Sequence, residues 1–522
     1  MTLKHLLLLF VLGFFFSTLQ GQHLNVMISN SNAPEEPAIN IDPFNTNRLI
    51  AGANIDNYFY SEDGGYTWQV GILTSSLYGV WGDPVTLVDN DGNYYFFHLS
   101  NPPSGNWIDR IVCQKSTDGG LTWNEGTYMG LNGNKEQDKE WAAIDRSNGN
   151  IYVTWTQFDD YGSSNPNDRS NIMFSKSTDS GESWSPALRI NEVDGNCEDS
   201  DNTVEGAVPA VGPNGEIYVS WAGPAGLVFD KSFDQGETWL EHDIFVSDLP
   251  GGWDIDVPGI MRCNGFPVTV CDTSGGPNHG TIYINWSDQR NGTDDTDVWL
   301  VKSTDGGETW SQPKRVNDDP PGSHQFFTWM ALDQVTGYLH FVFYDRRNYA
   351  DKNTDVYMAR STDGGETFEN YKVSDEPFIP TSNVFFGDYN NIVAHNNVIR
   401  PIWTRLHNGS LSVWTAIINP FATMIPEEAK EAIPLALNQN YPNPFRETTH
   451  FSFKLREKSI VTLKILDLMG REVARLIDHE NKNPGVHFEH FDASDYNIRP
   501  GVYYFSLAGN NVNQVRKMVI EQ

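Results

Sequence analysis

The chain has 522 residues, 13% of them aromatic, with 45 glycines and a formal net charge of −33. That charge excludes nucleic acid and anionic membrane surfaces as partners and works against polyanionic ligands. Many aromatics and many turn-forming glycines favour numerous short strands over a helical domain.

In chain order, residues 1–21 come first. A basic start is followed by the apolar run Leu6–Phe16 and then by small and polar residues, the pattern of a secretory signal peptide. The run is too short to span a bilayer, and no later segment reaches its length. The mature chain is therefore expected to be exported without a transmembrane segment. Export permits disulfides. Cys197 and Cys263 stand in polar loops entering consecutive repeats and form the expected pair, while Cys113 and Cys271 lie in strand-like runs.

Residues 22–421 are built on one phrase, which reads Ser303–Trp310 in its fullest form: Ser-Thr-Asp-Gly-Gly-Glu-Thr-Trp. Its aspartates are Asp63, Asp118, Asp179, Asp234, Asp305 and Asp363, at steps of 55, 61, 55, 71 and 58 residues. A period of this size marks a repeat architecture, and four-stranded propeller blades are its all-β form. Each phrase is a hairpin: Asp caps backbone N–H groups, Gly takes φ > 0, and Thr-Trp begins the next strand. Inner strands are expected at Pro37–Ile41, Pro84–Val88, Trp141–Ile144, Val208–Val211, Pro267–Val270 and Trp329–Leu332. A seventh unit, Asn391–Trp414, has no such phrase, and Leu24–Ile28 can supply its missing strand and close the ring. Seven blades are thus expected, with six as the alternative.

Two prolines and a charged run mark 422–436 as a linker. Residues 437–522 carry 11 Lys/Arg against 10 Asp/Glu, so the acidity belongs to the repeats. Alternating strands and turns there predict a small β-sandwich.

The repeated phrase resembles the Asp-box (BNR) repeat of sialidase-like β-propellers. That resemblance implies structural Asp boxes on the face opposite the ligand site. In the tail, Leu437–Phe445, Val461–Val473, Pro500–Phe505 and Lys517–Ile520 resemble the type A sorting domain of type IX secretion cargo. This implies a Bacteroidetes-type source, handling by the type IX machinery, and release or display at the outer surface.

Blade geometry puts the residues entering strand one and leaving strand two around the channel mouth. The entering residues are Glu36, Asp83, Glu140, Glu205, Asn264 and Asp388, and the leaving ones include Arg290, Arg346 and Arg405. Carboxylates crowded at a mouth must be paired, protonated or metal-bound. Arginine pairs carboxylates bidentately, either the protein's own or a ligand's. Glu140, Glu205 and Asp388 are the candidate acid/base residues, and Arg290, Arg346, Arg405, Asp83 and Glu36 the candidate substrate-binding ones. Tyr389 beside Asp388 is a further candidate.

The sialidase pattern also requires Arg-Ile-Pro ahead of the first box. This chain has none; its nearest string is Arg189-Ile190-Asn191, after the third box. The reading is therefore a propeller that acts on or binds glycans at its mouth. A different glycoside hydrolase or a polysaccharide lyase stands on one side, and a non-catalytic adhesin or structural surface module on the other. No cofactor is expected. Asp294–Asp297 and Asp351–Asp355 allow structural Ca²⁺, and His279, His324, His340 and His395 lack metal-ligand spacing.

Overall fold

The computed structural model describes residues 23–418 and, in the tail, 435–521 apart from 438, 441, 456–457, 468–469, 497 and 510–511. The expected signal peptide and most of the expected linker lie outside the described residues. The chain divides into two compact units, 1–420 and 421–522.

Among the described residues, the first unit contains seven four-stranded antiparallel sheets and one two-stranded hairpin, Asp254–Ile255 with Cys263–Asn264. The innermost strands contain the four-residue ladders Ala38–Ile41, Val85–Val88, Trp141–Ile144, Val208–Val211, Val268–Cys271, Trp329–Leu332 and Asn391–Ala394. Each innermost strand packs against the next, and that of the seventh sheet packs against that of the first. The ring is closed by the N-terminal strand Leu24–Ser29, which pairs antiparallel with Ser410–Ile417 as the fourth strand of the seventh sheet. Closure of this kind leaves only short outer edges, such as Leu188–Arg189 and Lys314–Arg315. Second strands such as Ile151–Phe158 are buried along their whole length, which is why they read as near-continuous apolar runs.

The six Asp boxes share one geometry. In the fifth sheet, Ser303 Oγ donates to Asp305 Oδ1 at 2.7 Å and accepts from Gly307 N at 2.8 Å. Asp305 then accepts from the N–H and the hydroxyl of Thr309, at 3.0 and 2.6 Å. These bonds hold the carboxyl groups of Asp118, Asp234 and Asp305 at about 2.

The box also fastens each sheet to the one before it. A Cβ at Gly307 would stand 2.4 Å from Phe229 of the fourth sheet, and one at Gly236 2.2 Å from Phe174 of the third. Glycine is required there by contact as well as by φ. Lysines ending the third strands reach forward to the next box: Lys231 Nζ to Gly306 O, and Lys302 Nζ to Gly364 O, both at 2.8 Å. The seventh sheet lacks a box, yet Arg400 makes the same forward contact, donating from Nε to Gly64 O of the first box at 2.7 Å.

The second unit is a β-sandwich. Leu435–Leu437, Thr448–Leu455 and Gly485–Asp492 form one sheet; Ser459–Leu466, Glu472–Lys482, Gly501–Gly509 and Val512–Ile520 form the other. Phe451, Phe453 and Phe491 of the first share a core with Leu463, Phe505 and Met518 of the second. Leu435 and Ala436, expected in the linker, belong to a strand instead, because their ladder to Leu455 and Lys454 extends that sheet. Among the described residues, no helix is long and apolar enough to cross a membrane.

The expected Cys197–Cys263 disulfide is absent: all four cysteines are buried free thiols. Cys197 lies against the backbone of Asp159 and Asp160, whereas Cys263 is under the charges of Asp388 and Arg346.

Candidate functional site

Ahead of several innermost ladders the chain bulges into a left-handed conformation. Glu36, Asp83, Lys139 and Phe327 have φ of 50°, 52°, 54° and 51°, and Gly206 has 75°. The register shifts at this point in the third, fourth and sixth sheets. Such bulges re-aim side chains, here at the channel mouth. They also correct the expected ring of acids. Counting two residues back from each ladder start gives Glu36, Asp83 and then Lys139. Glu140 is one residue out of that register, and Glu205 and Asp388 are one residue out on the other side.

Lys139 is therefore the cation among acids. It is buried, and its Nζ lies 2.9 Å from Asp388, 3.0 Å from Asp83, 3.9 Å from Asp138 and 4.0 Å from Glu36. Arg262, on the hairpin between the fourth and fifth sheets, completes the pairing. Its Nε donates to Asp388 Oδ1 at 2.8 Å, its Nη2 to Asp388 Oδ2, and its Nη1 to Asp199 Oδ2 at 2.8 Å. Asn54 Nδ2 donates to Glu36, and Asn54 Oδ1 accepts from the Asp83 N–H at 2.6 Å. Glu36 Oε1 accepts from the Asp388 N–H at 3.0 Å. Sheets one, two, three and seven are thus joined through one polar knot.

The knot separates the carboxylates into two kinds. Burial works against ionisation of Asp83 and Asp388, but Lys139, and for Asp388 also Arg262, hold both below the usual range. Burial pushes Asp138 up to about 8 against the pull of Lys139. Burial also raises Glu36, Glu140 and Glu205, with neighbouring carboxylates adding to it. Glu140 and Glu205 are buried with neither oxygen hydrogen-bonded. Their protonated form avoids a stranded charge.

A cleft lined by Lys139, Asn264, Phe327, Asp388 and Tyr389 has room for little more than a water molecule. Trp141 and Trp329 also line it, Trp141 lying 4.2 Å from Trp329 and 5.0 Å from Tyr389 between ring centres.

Of the other residues singled out by sequence, Asn264 joins the knot, donating to Asp388 O at 2.8 Å. Arg290, Arg346 and Arg405 do not converge on it. Arg290 pairs with Asp288 at the end of its own strand and lies over Trp299, 4.6 Å from the ring centre. Arg346 donates to Pro258 O at 2.7 Å and to Thr354 Oγ1 at 3.1 Å, and burial lowers it to about 10. Arg405 pairs with Asp375 at 3.2 Å and covers Trp414. Asp295 and Asp297 accept from neighbouring N–H groups and amides, and no group of three metal-ligating side chains is found among the described residues.

Sequence reasoning missed three features. Lys139 was detectable by strict counting from the ladder, but Arg262 sits in a non-repeating hairpin with no period to mark it. The third is an aromatic rim. Trp81 and Trp107 on the mouth face are 38% and 41% exposed and meet edge to face at 6.1 Å. Trp107 continues to Tyr161 at 5.8 Å, and the Tyr161 hydroxyl donates to Asp199 at 2.6 Å. A continuous path thus runs from exposed rings to the charged knot.

Comparison with known proteins fits the two units separately. Residues 439–521 match the secretion system C-terminal sorting domain. This tail marks the chain for type IX secretion, to the cell surface or the extracellular space. Curated proteins yield no match. Similar solved structures include a protein of unknown function from Dyadobacter fermentans, at 13% identity, covering 64% of this chain and 94% of that one, with a TM-score of 0.42. Another is the NanB sialidase of Streptococcus pneumoniae, at 10% identity with 71% and 83% coverage and a TM-score of 0.42. A third is an ulvan lyase of polysaccharide lyase family PL25, at 13% identity with 80% and 98% coverage and a TM-score of 0.44.

Proposed function

We propose that the exported propeller is a glycan-binding module that engages its ligand at the channel-mouth face and does not cleave it. The carrying observation is the contrast between rim and centre. At the centre Asp388 is fully engaged by Lys139 and Arg262, and Glu140 and Glu205 offer no accessible oxygen. A general acid or base must reach the proton it moves, and here that requires Arg262 to leave two carboxylates. At the rim, Trp81 and Trp107 present apolar ring surface beside hydrogen-bonding groups, the combination that binds the apolar face and the hydroxyls of a sugar. In this reading Glu36, Asp83, Lys139 and Asp388 lock the sheets together, Arg290 braces its own strand end, and Arg346 and Arg405 tie neighbouring connections. The tail delivers the module to the outer surface through the type IX machinery.

The experiment is a glycan array probed with the full chain and with Trp107→Ala. Binding by the parent and at least a tenfold loss in the variant support the proposal. Equal binding by both, or no glycan bound by the parent, refutes it.

The enzymatic alternative rests on Glu205, whose carboxyl is pushed up by burial and then by the charge of Asp199. Glycoside hydrolysis needs one carboxylic acid and one carboxylate. That alternative predicts product release that disappears in Glu205→Gln.

A further inference from the structure

We infer that the mouth selects glycans bearing free amino groups over neutral or uronic-acid glycans; this rests on the glycan-binding reading above. The rim ends at Asp199, and the charges of Asp201, Asp199 and Asp256 all act on Asp254 at the same lip. Asp201 Oδ1 accepts from the Asp254 N–H at 2.9 Å, and the charges of Asp201 and Asp199 add to burial in raising Asp254. Asp254 and Asp256 are exposed. Among the described residues, no salt bridge engages Asp201, Asp254 or Asp256. The nearby cation is Arg262, already divided between Asp388 and Asp199. Behind the lip stands Glu205, fully buried, with neither oxygen partnered and with Asp199 foremost among the charges that act on it. The mouth therefore holds more carboxyl groups than its two cations satisfy.

Such a site favours an incoming cation. Among the described residues no three metal-ligating side chains converge. An ammonium group on a sugar fits this site. The ring would stack on Trp107, and the amine would reach the carboxylates that follow Tyr161 along the lip. Uronic acids would bring like charge to a lip that already repels itself.

The test is calorimetric titration of the full chain with three probes: a β-1,4-glucosamine oligomer, its N-acetylated counterpart, and an oligogalacturonate of equal length. The glucosamine oligomer is expected to bind at least tenfold more tightly than the acetylated one, with affinity falling as salt rises. Asp201→Asn, Asp254→Asn and Asp256→Asn combined should remove that preference. Equal affinity for the free and acetylated amines, or preference for the uronate, overturns the inference but leaves glycan binding intact. Tighter binding of a lysine oligomer than of any sugar also overturns it. Failure to bind any sugar in this titration or on the array overturns the glycan-binding reading itself.

Discussion

Lys139 Nζ lies 2.9 Å from Asp388, tying the third sheet to the start of the seventh across the channel mouth. Asp83 of the second sheet shares the same ammonium at 3.0 Å. Removing one partner of a buried charge pair leaves the other stranded, at a cost of about 3–5 kcal/mol. Lys139→Met is expected to destabilise the propeller by that amount in chemical unfolding. A change below about 1 kcal/mol would mean that the knot does not hold the sheets.

The knot also sets a pH dependence. Asp138 is raised to about 8, so it binds its proton more tightly folded than unfolded. Its contribution is complete below the unfolded carboxylate range and is lost as pH rises through about 8. Glu36, Glu140 and Glu205 are raised too and act in the same direction. Asp83 and Asp388 are lowered, so their contribution is present above the unfolded range and lost in acid. Thermal midpoints should therefore fall between about pH 5 and pH 9, and Asp138→Asn should make the slope shallower. A flat or rising profile over that range would contradict the assignment.

Ring closure depends on Arg400 as well as on the N-terminal strand. Arg400→Met removes a charged donor to Gly64 O and is expected to cost about 2 kcal/mol. Hydrogen exchange should rise in Leu24–Ser29 and in the first box before it rises in the fourth sheet. Uniform change across all sheets would argue against a local closing role.

The thiols give an inexpensive check. Cys113, Cys197, Cys263 and Cys271 are buried and unbridged. A thiol reagent should label none of them in the native chain and all four after denaturation. Recovery of only two under non-reducing conditions would restore the disulfide expected from sequence.

Most of the fold was legible because the Asp box repeats. Asp, Gly and Thr are each demanded by a bond or a contact, so they recur at fixed spacing and mark every third strand. Closure by Leu24–Ser29 was legible because the seventh unit visibly lacked a strand. The site was less legible for two physical reasons. Bulges shift the register by one residue, which moved Glu140 out of the ring and concealed Lys139. Arg262 and the Trp81–Trp107 pair lie on connections whose lengths differ between repeats, so periodicity said nothing about them. The three arginines picked by period are real features of the fold, but Arg290 ends on Asp288 of its own strand, Arg346 on Pro258 O of the hairpin that carries Arg262, and Arg405 on Asp375.

Binding without turnover is tested most directly by incubating the full chain with the tightest glycan from the array and measuring released reducing ends over a day. The account predicts a saturable complex and no release above the protein-free control. Release by the parent chain that vanishes in Glu205→Gln would contradict it.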